Sequence, residues 1–428
     1  MNPYSMLESI LRDVLAVIKP QKEDWDTRSR IIDELRDVAG SVESLRGATL
    51  EPYGSFLSNL FTRWGDLDIS IELPNDSHIS LSAKKRKRSL LGDLLRALRH
   101  KDRFAGGWQR LQLIPNARVP ILKLESIYHS IRCDISIDNI QGQTKSKFLF
   151  WINSIDGRFR EMVLLVKEWA KTQNINNPKA GTFNSYSLSL LVIFHFQTCV
   201  PAILPPLKEL YPRNVVDDLT GPREDAEKRI AEICGANIQR IMSDKFRPIN
   251  RSSMSELFIS FLAKFSDIDS KAVNLGVCPF TGQWEDIGSN MRWMPRTYAV
   301  FVEDPFEQPE NTARTVNAGQ LTWIANAFRT SHHQLVRNQS PRRVLSMLVS
   351  AQAFAEVVST SVRYQSYHST TQSQLQRPVH SPSQGQHQPR YKKPEGSQNS
   401  VTVRKPVQQQ NPRGQQVWRP KSNESKAS

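Results

Sequence analysis

A chain of 428 residues with 57 Lys and Arg against 42 Asp and Glu carries a net charge of +15, and 39% of it is hydrophobic. That length fits two or three domains, and a basic balance of this size favours a polyanionic partner, nucleic acid before a membrane surface. No apolar run reaches the ~20 residues a membrane-spanning helix needs, the N-terminus lacks a signal-peptide pattern, and the scattered Cys133, Cys199, Cys234 and Cys278, with no C-x-x-C, argue against a zinc site or disulfide framework and for reduced thiols in cytosol or nucleus.

Residues 1–47 read as helical. Met6, Leu7, Ile10, Leu11, Val14, Leu15 and Ile18 recur at helical spacing, and Ile31, Ile32, Leu35 and Val38 mark a second helix. A sheet region is expected over 48–145. Within it the basic run Lys84-Lys85-Arg86-Lys87-Arg88 precedes a helix bearing Leu90, Leu91, Leu94, Leu95 and Leu98, and alternating strands are expected around Arg110–Ile114, Val119–Leu124 and Ile131–Ile137. The basic run suits a nuclear import signal, an RNA-backbone contact or a solvated helix approach. From 146 to 360 the pattern is helical again: Phe159–Lys171, Ser185–Gln197, Ala226–Met242, Met254–Ser266, Thr312–Phe328 and Pro341–Val358. Leu188–Phe196, which contains His195, reads as a buried helix. Residues 361–428 are rich in Gln, Ser, Pro and Asn and hold 11 Lys and Arg against 2 Asp and Glu. Such a stretch cannot bury enough apolar surface to offset its ordering entropy, so a disordered basic tail is expected. Its Tyr391-Lys392-Lys393 and Trp418-Arg419 mix π-faces with cations, which suits single-strand RNA contact or docking to a protein.

The most informative segment is Tyr53-Gly54-Ser55-Phe56 followed by Gly65-Asp66-Leu67-Asp68-Ile69-Ser70-Ile71. With a side-chain period of two, Asp66 and Asp68 share one strand face while Leu67, Ile69 and Ile71 take the other. Ile131, Cys133, Ile135 and Ile137 alternate in the same way with Arg132, Asp134 and Ser136, so Asp134 is a third strand carboxylate. Three such acids can hold hard divalent cations, the arrangement used for in-line phosphoryl displacement. Gly54 lets backbone approach a triphosphate, and the Ser55 hydroxyl can donate to its oxygens.

Gly-Ser, a short helical stretch, Gly-Asp-x-Asp on a strand and a later strand Asp together resemble the DNA polymerase beta-like nucleotidyltransferase superfamily. Further segments resemble its cytoplasmic poly(A) polymerase-like branch, which includes the terminal uridylyltransferases. Lys167 and Lys171 in Leu165–Lys171 share a helix face, and related enzymes place this pair on the triphosphate. Gly181-Thr182-Phe183-Asn184-Ser185-Tyr186 resembles the family's G-T-x-x-S-Y, which implies Ser185 on a phosphate and Tyr186 stacked on the base. Val302-Glu303-Asp304-Pro305-Phe306-Glu307 resembles the element that closes over the base edge, and makes Asp304 and Glu307 candidates to accept from the uracil N3–H. Where several uridylyltransferases carry His-Asn next, this chain has Glu310-Asn311, so selectivity for UTP does not carry over on that residue. Asn184–Leu191 and Trp284-Glu285-Asp286 look most like the plant enzymes that uridylate small RNAs lacking 3′-terminal methylation. The resemblance spans about residues 5–360.

The resemblance implies an α+β fold. A polymerase beta-like nucleotidyltransferase domain at 48–145 would carry a mixed β-sheet with helices. A mainly helical poly(A) polymerase-associated central domain would follow at 146–360, with residues 1–47 packed on it and a disordered basic tail at 361–428. It implies addition of UMP from UTP to the 3′ end of small RNAs lacking 2′-O-methylation, promoting their degradation. Asp66, Asp68 and Asp134 would be catalytic and hold Mg²⁺, with Mn²⁺ able to substitute. Gly54, Ser55, Lys167, Lys171, Ser185, Tyr186, Asp304 and Glu307 would bind the nucleotide. An Argonaute partner, no membrane, and residence in cytoplasm and nucleus are expected. The rival readings are an ATP-using poly(A) polymerase, which Glu310 keeps open, and an inactive RNA-binding scaffold.

Overall fold

The computed structural model describes residues 3–74, 84–99, 107–293, 297–337 and 340–359. The expected tail at 361–428 lies outside these. The chain opens with α1 (Pro3–Ile18) and α2 (Lys22–Gly40), then β1 (Thr49–Tyr53), the single turn α3 (Gly54–Leu57) and β2 (Leu67–Glu72). After α4 (Lys84–Arg99) come β3 (Trp108–Ile114), β4 (Ile121–Ser126) and β5 (Arg132–Ile137). These five strands form one sheet in the order β1-β2-β5-β4-β3. Only β2 and β5 pair in parallel, at the centre; the other pairs are antiparallel.

Strand alternation decides which face is dry. Leu67, Ile69 and Ile71 of β2 and Cys133, Ile135 and Ile137 of β5 are all buried, and they meet Ile31, Ile32, Leu35 and Val38 of α2 and Leu90, Leu91, Leu94 and Leu98 of α4 in one core. The helix α2 was expected to pack with α1 on the helical region. It covers the sheet instead, because its apolar stripe matches that face, whereas Leu7, Leu11, Val14 and Ile18 of α1 join the other core. The basic run forms the first turn of α4, where Lys87 Nζ donates to the Asp138 carbonyl (3.0 Å) and Arg88 Nε to the Pro115 carbonyl (2.7 Å).

The rest is mainly helical: α5 (Ile140–Ile155), α6 (Arg158–Thr172), α7 (Ser185–Gln197), α8 (Val215–Asp218), α9 (Arg223–Ser243), α10 (Met254–Lys264) and α11 (Ile268–Lys271). A hairpin of β6 (Leu275–Cys278) and β7 (Gln283–Asp286) follows, then α12 (Ala318–Val336) and α13 (Pro341–Leu348). Every residue of α7 from Ser187 to Gln197 is buried, His195 included, which makes it the axis of this core.

Three details depart from expectation. The hairpin β6–β7 stands where only helix was expected. The helix expected at Thr312–Phe328 begins at Ala318, because Asn317 caps it by accepting from the Gln320 N–H (2.9 Å). The helix expected at Pro341–Val358 breaks at Val349 and resumes over 351–359. The buried Glu168 carboxylate causes the break, accepting from Ser350 through both N–H (3.1 Å) and Oγ (2.6 Å). Among the described residues no helix is long and apolar enough to cross a membrane.

Candidate active site

The central parallel pair places Asp68 of β2 directly opposite Asp134 of β5. Asp66 stands two residues earlier, just ahead of the strand, in an exposed position. Burial first, and then the charges of Asp134 and Asp66, push the Asp68 carboxyl up to about 7. Asp66 is raised as well, by burial first and then by the charge of Asp134, so the three acids share one electrostatic site. Lys123, opposite Asp134 in β4, ion-pairs with it and offsets part of that repulsion. As they stand, the described residues include no set of three acidic, His or Cys groups already closed into a metal shell. The donor set is nevertheless that of a hard divalent cation: all-oxygen, multiply anionic and open to solvent at Asp66.

Arg28 of α2 fixes the loop that presents Asp66. Its buried guanidinium donates to the carbonyls of Asp24 (3.0 Å), Arg63 (3.0 Å) and Gly65 (2.6 Å) and lies 4.6 Å from the Phe61 ring centre. Beside Asp66 a cleft of about 610 Å³ opens, lined in part by Arg63, Trp64, Tyr128, His129 and Arg132.

Gly54, the first residue of α3 just past β1, abuts the triad. Its φ is +65°, and a Cβ there would collide with Asp68 Oδ2, so only glycine serves. The Gly54 N–H is bound to Ser146 Oγ (2.7 Å), which leaves the half-buried Ser55 as the member of the pair available to a ligand. Lys167 and Lys171 project from α6 on one face. Lys167 is buried, donates to the Leu60 carbonyl (2.8 Å), and is lowered to about 8 by burial and then by Lys171, against the pull of Asp68 and Asp66. Lys171 is exposed.

The remaining site residues form a second cluster. Asn184 caps α7, accepting from the Ser187 N–H (2.8 Å), and Ser185 begins the helix with its Oγ against the Asn176 side chain (3.2 Å). Tyr186 donates its hydroxyl to Asp304 Oδ1 (3.0 Å), which also accepts from the Phe306 N–H (3.1 Å). Lys145 of α5 reaches both acids, Asp304 Oδ2 (2.5 Å) and Glu307 Oε2 (2.7 Å), and Arg118 pairs with Glu307 Oε1. Glu310 lies between Arg118 and Arg314, at 3.5 Å from each. Lys145, Arg118 and Ser146 have partners far away in the chain, and Lys123 meets Asp134 only through the pairing of β4 with β5, so no local motif marks any of them.

A family model for the central palm domain of mitochondrial-like poly(A) RNA polymerases matches residues 7–153. Protein HESO1 of Arabidopsis thaliana is 57% identical over 367 residues, which is 86% of this chain and 70% of that protein. This chain belongs to the terminal uridylyltransferases of the DNA polymerase beta-like nucleotidyltransferase superfamily. The poly(A) RNA polymerase GLD2 of Bos taurus is 27% identical over 302 residues, 69% of this chain and 57% of that one. The solved structure of a cytoplasmic RNA terminal U-transferase superposes with a TM-score of 0.62 at 23% identity, covering 80% of this chain and 98% of its own, and that likeness establishes the α+β nucleotidyltransferase fold.

Proposed function

We infer that this family member is a template-independent RNA uridylyltransferase, which joins UMP from UTP to an RNA 3′ end and releases pyrophosphate. The observation that carries the chemistry is the register of Asp68 against Asp134 with Asp66 two residues ahead. Support for uridine comes from the 57% identity to HESO1 and from motifs that resemble the plant small-RNA uridylyltransferases.

Asp66, Asp68 and Asp134 would hold a divalent metal, Mg²⁺ with Mn²⁺ able to replace it. Such ions make the terminal 3′-hydroxyl a better nucleophile and neutralise charge on the phosphates. The protein's own residues do the positioning. Gly54 keeps backbone close to Asp68, and Ser55 offers a hydroxyl to the triphosphate. Lys167 and Lys171 supply positive charge on the same side, and Tyr186 presents a flat face to the base. The acceptor approaches Asp66 from the neighbouring cleft.

The acceptors proposed are small RNAs with a free 2′-hydroxyl, tailed for degradation and presented by an Argonaute protein, in both cytoplasm and nucleus. A 2′-O-methyl group would crowd the attacking oxygen and remove a donor. Offering all four nucleoside triphosphates to the purified chain, with methylated and unmethylated oligomers side by side, tests the reading. UTP on the unmethylated oligomer should be used best. A preference for ATP would instead favour the poly(A) reading, which the likeness to GLD2 and the presence of Glu310 support.

A further inference from the structure

Asp304 and Glu307 were expected to read uracil by accepting from its N3–H. Their oxygens are already engaged: Oδ1 of Asp304 by Tyr186 and the Phe306 N–H, Oδ2 by Lys145, and the two oxygens of Glu307 by Arg118 and Lys145. Only Asp304 Oδ1 has two donors; each of the other three oxygens is held by one cation, so this cluster meets a base with cationic donors as well as acceptors. Lys145 stands close to the stacking platform, its Nζ 5.6 Å from the Tyr186 ring centre. An ammonium has three N–H bonds and no acceptor. Two go to Asp304 and Glu307, which fix the side chain in place and leave one N–H.

Lys145 Nζ stands over the Tyr186 ring, so a base stacked there would bring its edge to that N–H. Uracil presents carbonyl acceptors at O2 and O4, whereas cytosine carries an amino donor at position 4 and adenine one at position 6. A fixed cation with no lone pair welcomes the first and repels the amino groups of the other two. We propose that Lys145 determines base choice by donating to the O4 carbonyl of uracil. Asp304 and Glu307 act through it as positioning residues, and Tyr186 is tied to the same carboxylate. The proposal rests on the uridylyltransferase reading and replaces the missing histidine with a different device.

The test uses the full chain, a labelled RNA oligomer, and UTP, CTP, ATP and 4-thiouridine triphosphate, whose sulfur is a poor acceptor. The wild type should prefer UTP over both CTP and the thio analogue, chiefly through KM. In Lys145→Met, kcat/KM for UTP should fall about tenfold to a hundredfold more than for CTP, the range for a lost hydrogen bond to a charged donor. Discrimination against the thio analogue should vanish as well. Because that change strands two carboxylates, the double variant Lys145→Met/Glu307→Gln restores charge balance and should show the same loss of preference with a melting temperature closer to wild type. An equal fall for every nucleotide, or thio discrimination that survives in either variant, would overturn the proposal and leave Lys145 a counter-ion only. A wild-type preference for ATP would appear before any variant is made, and would overturn the uridine reading itself together with the Lys145 assignment.

Discussion

Two acidic clusters lie in one molecule, and they are built on opposite principles. At Asp66, Asp68 and Asp134 the acids face one another with one direct cation, Lys123, and Asp68 is driven up to about 7. At Asp304 and Glu307 every carboxylate oxygen has a protein donor, and two cations, Lys145 and Arg118, balance two acids. An undercompensated cluster opposes the folded state and has the charge to take a guest cation; a compensated one is part of the frame. Removing a charge should therefore have opposite consequences for stability at the two places.

The largest effect should come from Asp68→Asn. Activity should fall on the order of a thousandfold or more, as expected when the main electrostatic support of a transition state is lost. The melting temperature should hold or rise, since repulsion is relieved. Turnover assays paired with thermal melts check this, and a clear drop in stability would break the contrast. Asp304→Ala should do the reverse, costing about 3 kcal/mol of stability because the Lys145 ammonium and the Tyr186 hydroxyl lose their shared acceptor. Urea unfolding measures it, and a cost below that of a surface substitution would show that the cluster is not part of the frame.

His195 supplies a limiting case, a titratable ring inside the helical core. Burial first, and Lys264 second, lower it to about 3. The unfolded state binds its proton near pH 6.5 and the folded state does not, so its contribution is intact above that pH and is lost as pH falls. By pH 5 the loss should reach about 2 kcal/mol. Comparing unfolding midpoints of wild type and His195→Gln between pH 7.5 and 5 should show a shallower decline in the variant; parallel declines would count against it. The smallest effect is expected from Tyr186→Phe, which keeps the stacking face and loses one hydrogen bond to Asp304, about 1 kcal/mol in stability with a modest rise in KM for the nucleotide.

Much of the site was legible in the residues themselves where a short period carried it. Alternation in Leu67–Ile71 and Ile131–Ile137 marked two strands, their dry faces and the acids opposite them, and Asn184-Ser185 marked a helix start that the structure places at Ser185. Asp66 was assigned to a strand and stands just outside it, because a carboxylate at a strand end satisfies the same alternation. The break at Val349 was invisible because Glu168, which causes it, is far away in the chain.

By itself the chain's pattern of residues determined a strand region between helical ones, the two carboxylate-bearing strands and the shared helix face of Lys167 and Lys171, since each follows from local period. Only the tertiary structure decided that β2 and β5 lie side by side in parallel, that α2 covers the sheet, and that Lys145 and Arg118 claim the carboxylates expected to read the base. Those outcomes depend on which charges and apolar faces meet across many residues of intervening chain, and the balance of burial and electrostatics at such meetings is set only when the whole core closes.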